Sequence, residues 1–325
     1  MTILPRCIQC TRCIQCTRCT KDTNGCVPMI KTFLGSFFYS LQYLDVKLVH
    51  HFNLEKDMNT IIWMRGFVGI VVSLFFICIL QIRPWYGKNM KGLFLRGMFG
   101  SFSLLCSFHS LTYLPLSVAT VFFSLTPLWT ALYCFLYHIE NGTEKYIWKT
   151  KYTYSCICCL SGIVVISIPI WFQKHESLTT TTQSMEMGYV YAIFSSLFQC
   201  AVNVSILSLQ NEHPLVTSLY SMTQTLLLVS LWGYQFFPQV SNLFSNFGWN
   251  LPTLLFYSMG VCSLLAQTLK TCALQTSKGL TIIVLRYVDI PLALLWDIVL
   301  LHHRFSIYEI IGISLIGIGL GIYFF

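Results

Sequence analysis

The sequence predicts an all-α integral membrane fold of ten transmembrane helices, arranged as two inverted five-helix repeats. Three observations predict it. Ten apolar segments, each near the ~20 residues that cross ~30 Å of hydrocarbon, fill the chain from Pro28 to Phe325. Apolar residues make up 55% of the chain and charged residues 10%, against about 25% charged in soluble domains. A fold of that composition takes lipid as its solvent. One constant shift of 160 residues carries Gly100, Ser103, Leu104, Leu105, Leu114, Ser117, Leu125 and Leu132 onto Gly260, Ser263, Leu264, Leu265, Leu274, Ser277, Leu285 and Leu292. An odd number of segments per copy makes the copies inverted, the symmetry of rocking transporters.

The elements follow in order. Residues 1–27 form a disordered, cysteine-rich tail. The first five-helix unit spans 28–171, with helices over 28–48, 59–82, 92–113, 115–137 and 152–171. A polar linker covers 172–187. The second unit spans 188–325, with helices over 188–208, 214–236, 250–273, 279–301 and 305–325. Pro28, Pro84, Pro115, Pro214 and Pro252 stand at segment ends, where a missing N–H costs least. Trp85, Tyr86, Tyr146, Trp148, Trp171 and Trp249 also mark segment ends, as an interfacial aromatic belt does.

Charge sets the orientation. Ten crossings place both termini on one face, which collects Arg6, Arg12, Arg18, Lys21, Lys31, Arg83, Lys88, Lys91, Lys145, Lys149, Lys151 and Lys278. The opposite face holds Lys56, Lys174 and Arg304. Positive residues stay inside, so both termini are expected in the cytoplasm. The net charge of +8 forms no basic stripe on a polar helix, and no nucleic-acid partner is expected. Asn141-Gly142-Thr143 matches a glycosylation acceptor but falls in a cytoplasmic loop, so it is expected to stay unmodified. Asn203-Val204-Ser205 matches too, inside a helix.

The tail repeats Cys-Ile-Gln-Cys-Thr-Arg, placing cysteines at 7, 10, 13, 16 and 19, with Cys26 beyond. A tandem duplication in a disordered tail, S-acylation of Cys19 or Cys26, and zinc or iron–sulfur ligation all fit that spacing. The tail has no continuous apolar run with a cleavage site, so it is not a secretory signal.

The hairpin SLTYLPLSVATVFFSLTPLWTALYCFLYHIE, Ser110 to Glu140, joins a small-residue helix through a Leu-Pro turn to an apolar helix carrying Pro127, then reaches a glutamate. It resembles the EamA-type signature of the drug/metabolite transporter superfamily. The closing stretch GLTIIVLRYVDIPLALLWDIVLLHHRFSIYEIIGISLIGIGLGIYFF is similar to that family's last unit, and closest in wording to the solute carrier 35 family, G-type branch. The resemblance covers roughly 30–325. Two positions depart from the pattern: His302-His303-Arg304 replaces the glutamate after the ninth helix, and Tyr287 stands where Pro127 does, with Pro291 four residues on. The resemblance implies a central cavity that opens alternately to each side, lined by four helices of each half. It also implies a substrate drawn from amino acids, amphiphilic drugs, sugar phosphates and nucleotide sugars.

A charge at mid-bilayer costs about 3 kcal/mol on insertion scales, so each one is a candidate. Arg286 and Asp297 project within about 20° of one another on the ninth helix, with Asp289 about 60° away. A substrate- or proton-responsive cluster and an internal ion pair, Arg286 with Asp289, both fit. Arg65 and Lys270 either anchor at the interface or reach the cavity. Asp45 and Lys47 lie near the far end of the first helix, within snorkelling reach of the headgroups. Gln42 and Gln199 occupy matching places in helices one and six, and Asn203 lies one turn beyond Gln199; these amides either line a cavity or join helices. The candidate substrate-binding set is Gln42, Arg65, Gln199, Asn203, Lys270, Arg286 and Asp289. His109, Gln224 and Gln267 stand behind it.

The expected function is secondary transport of a small polar organic solute, with a nucleotide-sugar or sugar-phosphate exchanger of an endomembrane as its narrower form. The chain holds no H-E-x-x-H, G-x-S-x-G or Walker loop, so an enzyme is not expected, nor is a cofactor. A membrane receptor or scaffold is the alternative of a different class. The last helix carries Gly312, Gly317, Gly319 and Gly321. Its G-x-x-x-G pair serves close packing within the chain or in a homodimer.

Overall fold

Small hydroxylated side chains share the inside of the helical bundle with apolar ones, while many other large apolar side chains face out, as they do not in a water-soluble bundle. Ser36, Ser73, Ser101, Ser110, Ser196 and Ser263 are fully buried, whereas Phe75, Phe94, Phe194 and Leu231 are exposed. Lipid outside and short side chains inside account for both, because helices in a membrane gain by close backbone approach rather than by apolar burial. The computed structural model describes residues 26–51, 58–136, 180–232, 251–276, 288–300 and 307–324, with scattered positions between 154 and 168.

Ten helices and no strand are found among the described residues. They are α1 (Cys26–His51), α2 (Met58–Ile79), α3 (Met90–Tyr113), α4 (Leu116–Phe123), α5 (Thr126–Leu136), α6 (Thr180–Leu207), α7 (Pro214–Trp232), α8 (Leu251–Thr276), α9 (Asp289–Val299) and α10 (Ile307–Phe324). Three stretches, Met58–Ile79, Glu186–Ile206 and Pro214–Leu231, are long and apolar enough to cross a membrane. The long helices α1, α3 and α8 carry more polarity, including Asp45, Lys47, Arg96 and Lys270.

Two predicted elements differ. The segment 115–137 is two helices broken at Ser124 and Leu125. The break places Pro127 in the first turn of α5, where a proline has no hydrogen bond to lose. The Phe123 carbonyl that Pro127 cannot serve is taken by Thr126 Oγ1 at 2.7 Å. Helix α6 begins at Thr180, inside the stretch read as linker. Hydropathy marks the apolar part of a helix, and its polar N-terminal turns extend past that band. Of the predicted fifth helix, residues 152–171, only scattered positions between 154 and 168 are described, all helical, while the cysteine repeat, Asn141, Lys278 and the His302–Arg304 loop lie outside the described residues.

Helices α1 and α8 pack along their length, as do α3 and α6. Helix α2 meets α7 and α8, while α7 also meets α3. Helix α4 meets α9; α4 and α5 meet α6, and α9 meets α1. Exchanging α1, α2, α3 and α4–α5 for α6, α7, α8 and α9 maps these main contacts onto one another. Tyr43 lies against Phe108 and Lys47 against Leu114, so α1 and α3 run in the same direction. Phe102 stacks on Phe198 and Tyr113 on Tyr191, so α3 and α6 run in opposite directions. Helices α1 and α6 therefore point opposite ways.

The two ends of the bundle are built differently. The largest apolar core gathers at the C-terminal end of α1 and α3 and the N-terminal end of α2, with Val46, Val49, Met58, Ile62, Leu111 and Leu116 at its centre. The tight elbow between α3 and α4 crosses this end. Pro115 holds Leu114 extended at φ −112° and ψ 149°. The elbow frees a carbonyl and an N–H; a half-buried lysine takes the first and a buried aspartate the second. Lys47 Nζ donates to the Leu114 carbonyl at 2.5 Å, and Asp297 Oδ2 accepts from Ser117 N at 2.6 Å. Lys47 therefore points inward to the elbow instead of snorkelling outward. Asp45 is buried as well, accepting from Ser258 Oγ at 2.8 Å.

At the other end, the Glu212 carboxylate accepts from the backbone N–H groups of Lys88 and Asn89, at 2.8 and 2.6 Å. This ties the turn between α6 and α7 to the entrance of α3, where a carboxylate also complements the helix dipole. Gln275 Nε2 donates to the Leu209 carbonyl of the same turn at 2.8 Å.

Candidate functional site

A narrow cavity opens at this second end, between helices of the two halves. Thr32 and Tyr39 of α1, Arg96 of α3, Gln199 and Asn203 of α6, and Gln267, Lys270 and Thr271 of α8 supply its polar wall. It holds about 430 Å³ of atom-free space, part of it open to solvent. Positions 199 and 203 of α6, and 267, 270, 271 and 274 of α8, recur at helical spacing and so share a face. That is why polar residues scattered along the sequence converge on one space.

Lys270 Nζ lies 3.0 and 3.2 Å from the two carboxylate oxygens of Asp289, bridging α8 to α9. The ammonium also sits 4.2 Å from the centre of the Tyr39 ring, a cation–π contact. Asp289 thus has a partner on another helix, whereas the sequence reading paired it with Arg286, which lies outside the described residues. The two side chains are 12% and 17% exposed, so the pair is mostly desolvated and its members depend on each other. A double-mutant cycle with Lys270→Met and Asp289→Ala is expected to give a coupling energy of about 1–3 kcal/mol, with Asp289→Ala the more damaging single change. Thermal melting of the purified variants measures it, and additive effects would exclude the pair.

Arg96 is 3% exposed. Its Nη1 donates to the Thr217 carbonyl at 2.9 Å and its Nη2 contacts Thr271 Oγ1 at 3.5 Å, while Nε has no partner. Sequence reasoning passed over Arg96, because a charge four residues inside a predicted span looks like an interfacial anchor. The available signal was α3 itself, whose Gly97, Gly100, Ser101 and Ser103 mark a face for close packing. Gln199 Oε1 accepts from Ser103 Oγ at 3.3 Å, and Asn203 Nδ2 donates to Thr130 Oγ1 at 3.3 Å. The Gln267 Oε1 is buried without a partner.

Arg65 and Gln42 lie elsewhere. Arg65, fully buried on α2, donates through Nη2 to Ser263 Oγ of α8 and stands 5.8 Å from the centre of the Phe108 ring. Ser263 is seven residues from Lys270 on α8, so Arg65 lies about 10 Å deeper than the cavity's ammonium at 1.5 Å per residue. Its Nε and Nη1 have no hydrogen-bond partner. Gln42 is also fully buried, with neither amide atom bonded, and is not part of the cavity wall that Gln199 joins. The structure therefore brings together Gln199, Asn203, Lys270 and Asp289, and leaves Arg65 and Gln42 further in. Of the secondary candidates, Gln267 joins the wall, His109 lies against Tyr191, and Gln224 is buried on α7.

No family model matches the chain. A protein of Saccharomyces cerevisiae described as a probable transport protein is 22% identical over 314 residues, covering 89% of this chain and 85% of its own. A crystal structure described only as that of a protein superposes with a TM-score of 0.61 at 16% identity, over 90% of this chain and 96% of the other. That likeness concerns the fold alone. The sequence relative supports a transport protein in general, and the described helices support a membrane location.

Proposed function

We propose that the chain is a secondary transporter that carries a small polar organic solute across a membrane by alternating access. The observation that carries this reading is the contrast between the two ends: a polar cavity at one, a packed apolar core and a clamped elbow at the other. A solute bound in the cavity reaches the far side if the halves rock against each other and the seal changes ends. The reciprocal helix contacts, and the opposite directions of α1 and α6, support two inverted units that can exchange roles in this way. The relative described as a transport protein supports the general class. An exchanger of nucleotide sugars or sugar phosphates in an endomembrane is the narrower form of the same reading.

Both termini are placed in the cytoplasm on the loop charges, so the cavity faces the cytoplasm in this conformation. The Gly317 and Gly321 face of α10 meets nothing among the described residues within 4 Å of an added Cβ, which fits a homodimer joined through that helix.

Uptake into proteoliposomes from a polar-metabolite extract, read by mass spectrometry, tests the reading. Some solute is expected to accumulate, and Gln199→Ala or Lys270→Ala is expected to slow its uptake at least tenfold. A receptor or scaffold would bind a solute without moving it, and binding without accumulation would refute transport.

A further inference from the structure

The charges inside the bundle do not balance. Each described buried acid has a donor, and so does the half-buried Asp289: Asp45 has Ser258, Asp289 has Lys270, Asp297 has the Ser117 N–H, and Glu212 has the N–H groups of Lys88 and Asn89. Among the described residues, no carboxylate stands within ion-pair distance of Arg65 or Arg96. Both guanidiniums are buried, and three of their nitrogens donate to nothing. A desolvated cation without a counter-ion is costly, and the missing counter-ion is what a ligand would supply.

The positions of the two arginines suit a ligand that enters. Arg96 stands in the cavity wall beside Gln199 and Asn203, while Lys270 is already neutralised by Asp289. Arg65 lies about 10 Å further in by the helix rise, against the apolar core. A planar guanidinium fork pairs in bidentate fashion with a carboxylate or a phosphate. A cationic solute would meet like charge at both stations.

We propose that the transported solute is a small organic anion bearing a carboxylate or phosphate group, received in the cavity by Arg96 and passed inward to Arg65. The proposal rests on the transport reading and adds the sign of the solute and the residues that read it.

The test divides one polar-metabolite extract into anionic, neutral and cationic pools on ion exchangers and offers each to proteoliposomes. Accumulation from the anionic pool alone is expected, and mass spectrometry of the solute tells a carboxylate from a phosphate ester. Arg96→Gln and Arg65→Gln are expected to lower that uptake at least tenfold, and Arg96→Lys to restore part of it. Accumulation from the neutral or cationic pool alone overturns the anion assignment and leaves transport standing; accumulation from no pool overturns transport itself. Anion uptake indifferent to both Gln variants removes the arginines from the path. A second measurement does not depend on the variants: the melting temperature of the unmodified protein is expected to rise with the anionic pool only, and a rise with the cationic pool alone overturns the proposal.

Discussion

Replacing Arg65 with methionine is expected to raise the melting temperature of the detergent-purified protein while abolishing uptake. The two halves of that expectation share one cause. Burying a guanidinium costs several kcal/mol even after relaxation. The returns are a hydrogen bond to Ser263, about 1 kcal/mol, and the contact with the Phe108 ring, about 1–2 kcal/mol. Two of its nitrogens, Nε and Nη1, recover nothing. Methionine keeps much of the volume, bends to fit the space and carries no charge, so the folded state is expected to gain about 1–3 kcal/mol. A gain in stability with a loss of function is the mark of a site that stores cost for its ligand. If Arg65 were instead a structural cation, the same change would lower the melting temperature by several degrees, and that result would remove it from the site.

The long helices were legible because their signal is local. The expected bounds of α2 and α3 fall within three residues of those observed, since a lipid-facing helix writes its length directly into hydropathy. Positive-residue counts and prolines at segment ends are local signals too. The broken fourth segment was harder, because Pro127 signals a break somewhere nearby and only the bond from Thr126 to the Phe123 carbonyl shows where it is absorbed. The site was legible in part. Gln199, Asn203 and Lys270 stood out as polar residues in apolar segments, and they do share the cavity wall. The Asp289 partner was not, because helical spacing offers only neighbours on the same helix and Lys270 comes from α8. Lys47 and Asp297 were equally obscure. Their partners are a carbonyl and an N–H freed by the Leu114-Pro115 elbow, and backbone groups leave no trace in a sequence pattern.

Gly260→Ala is expected to destabilise the protein and stop uptake, whereas Gly100→Ala is expected to be tolerated, although the 160-residue shift makes the two glycines counterparts. Both sit where a central helix of one half meets the second helix of the other: Gly100 of α3 against Ser221 of α7, and Gly260 of α8 against Val68 of α2. A Cβ at 100 would stand 3.0 Å from the Ser221 hydroxyl oxygen, which can rotate. The gain in helix propensity from glycine to alanine, about 1 kcal/mol, then offsets the adjustment. A Cβ at 260 would stand 2.6 Å from both Cβ and Cγ1 of Val68 and 3.3 Å from the Arg65 carbonyl. Val68 is β-branched and stiff, and its Cβ moves only with the backbone of α2. Separating α2 from α8 is expected to cost about 1–3 kcal/mol, more than propensity returns. It also draws Arg65 away from Ser263, so uptake fails with stability. Val68→Ala in the same chain removes the Cγ1 contact but keeps the equally close Cβ, so it is expected to restore little of either. Melting temperatures and uptake of the three single variants and the Val68→Ala/Gly260→Ala pair measure this coupling. Equal tolerance at 100 and 260 would mean that the halves pack alike, and that α2 does not hold Arg65 through its contact with α8.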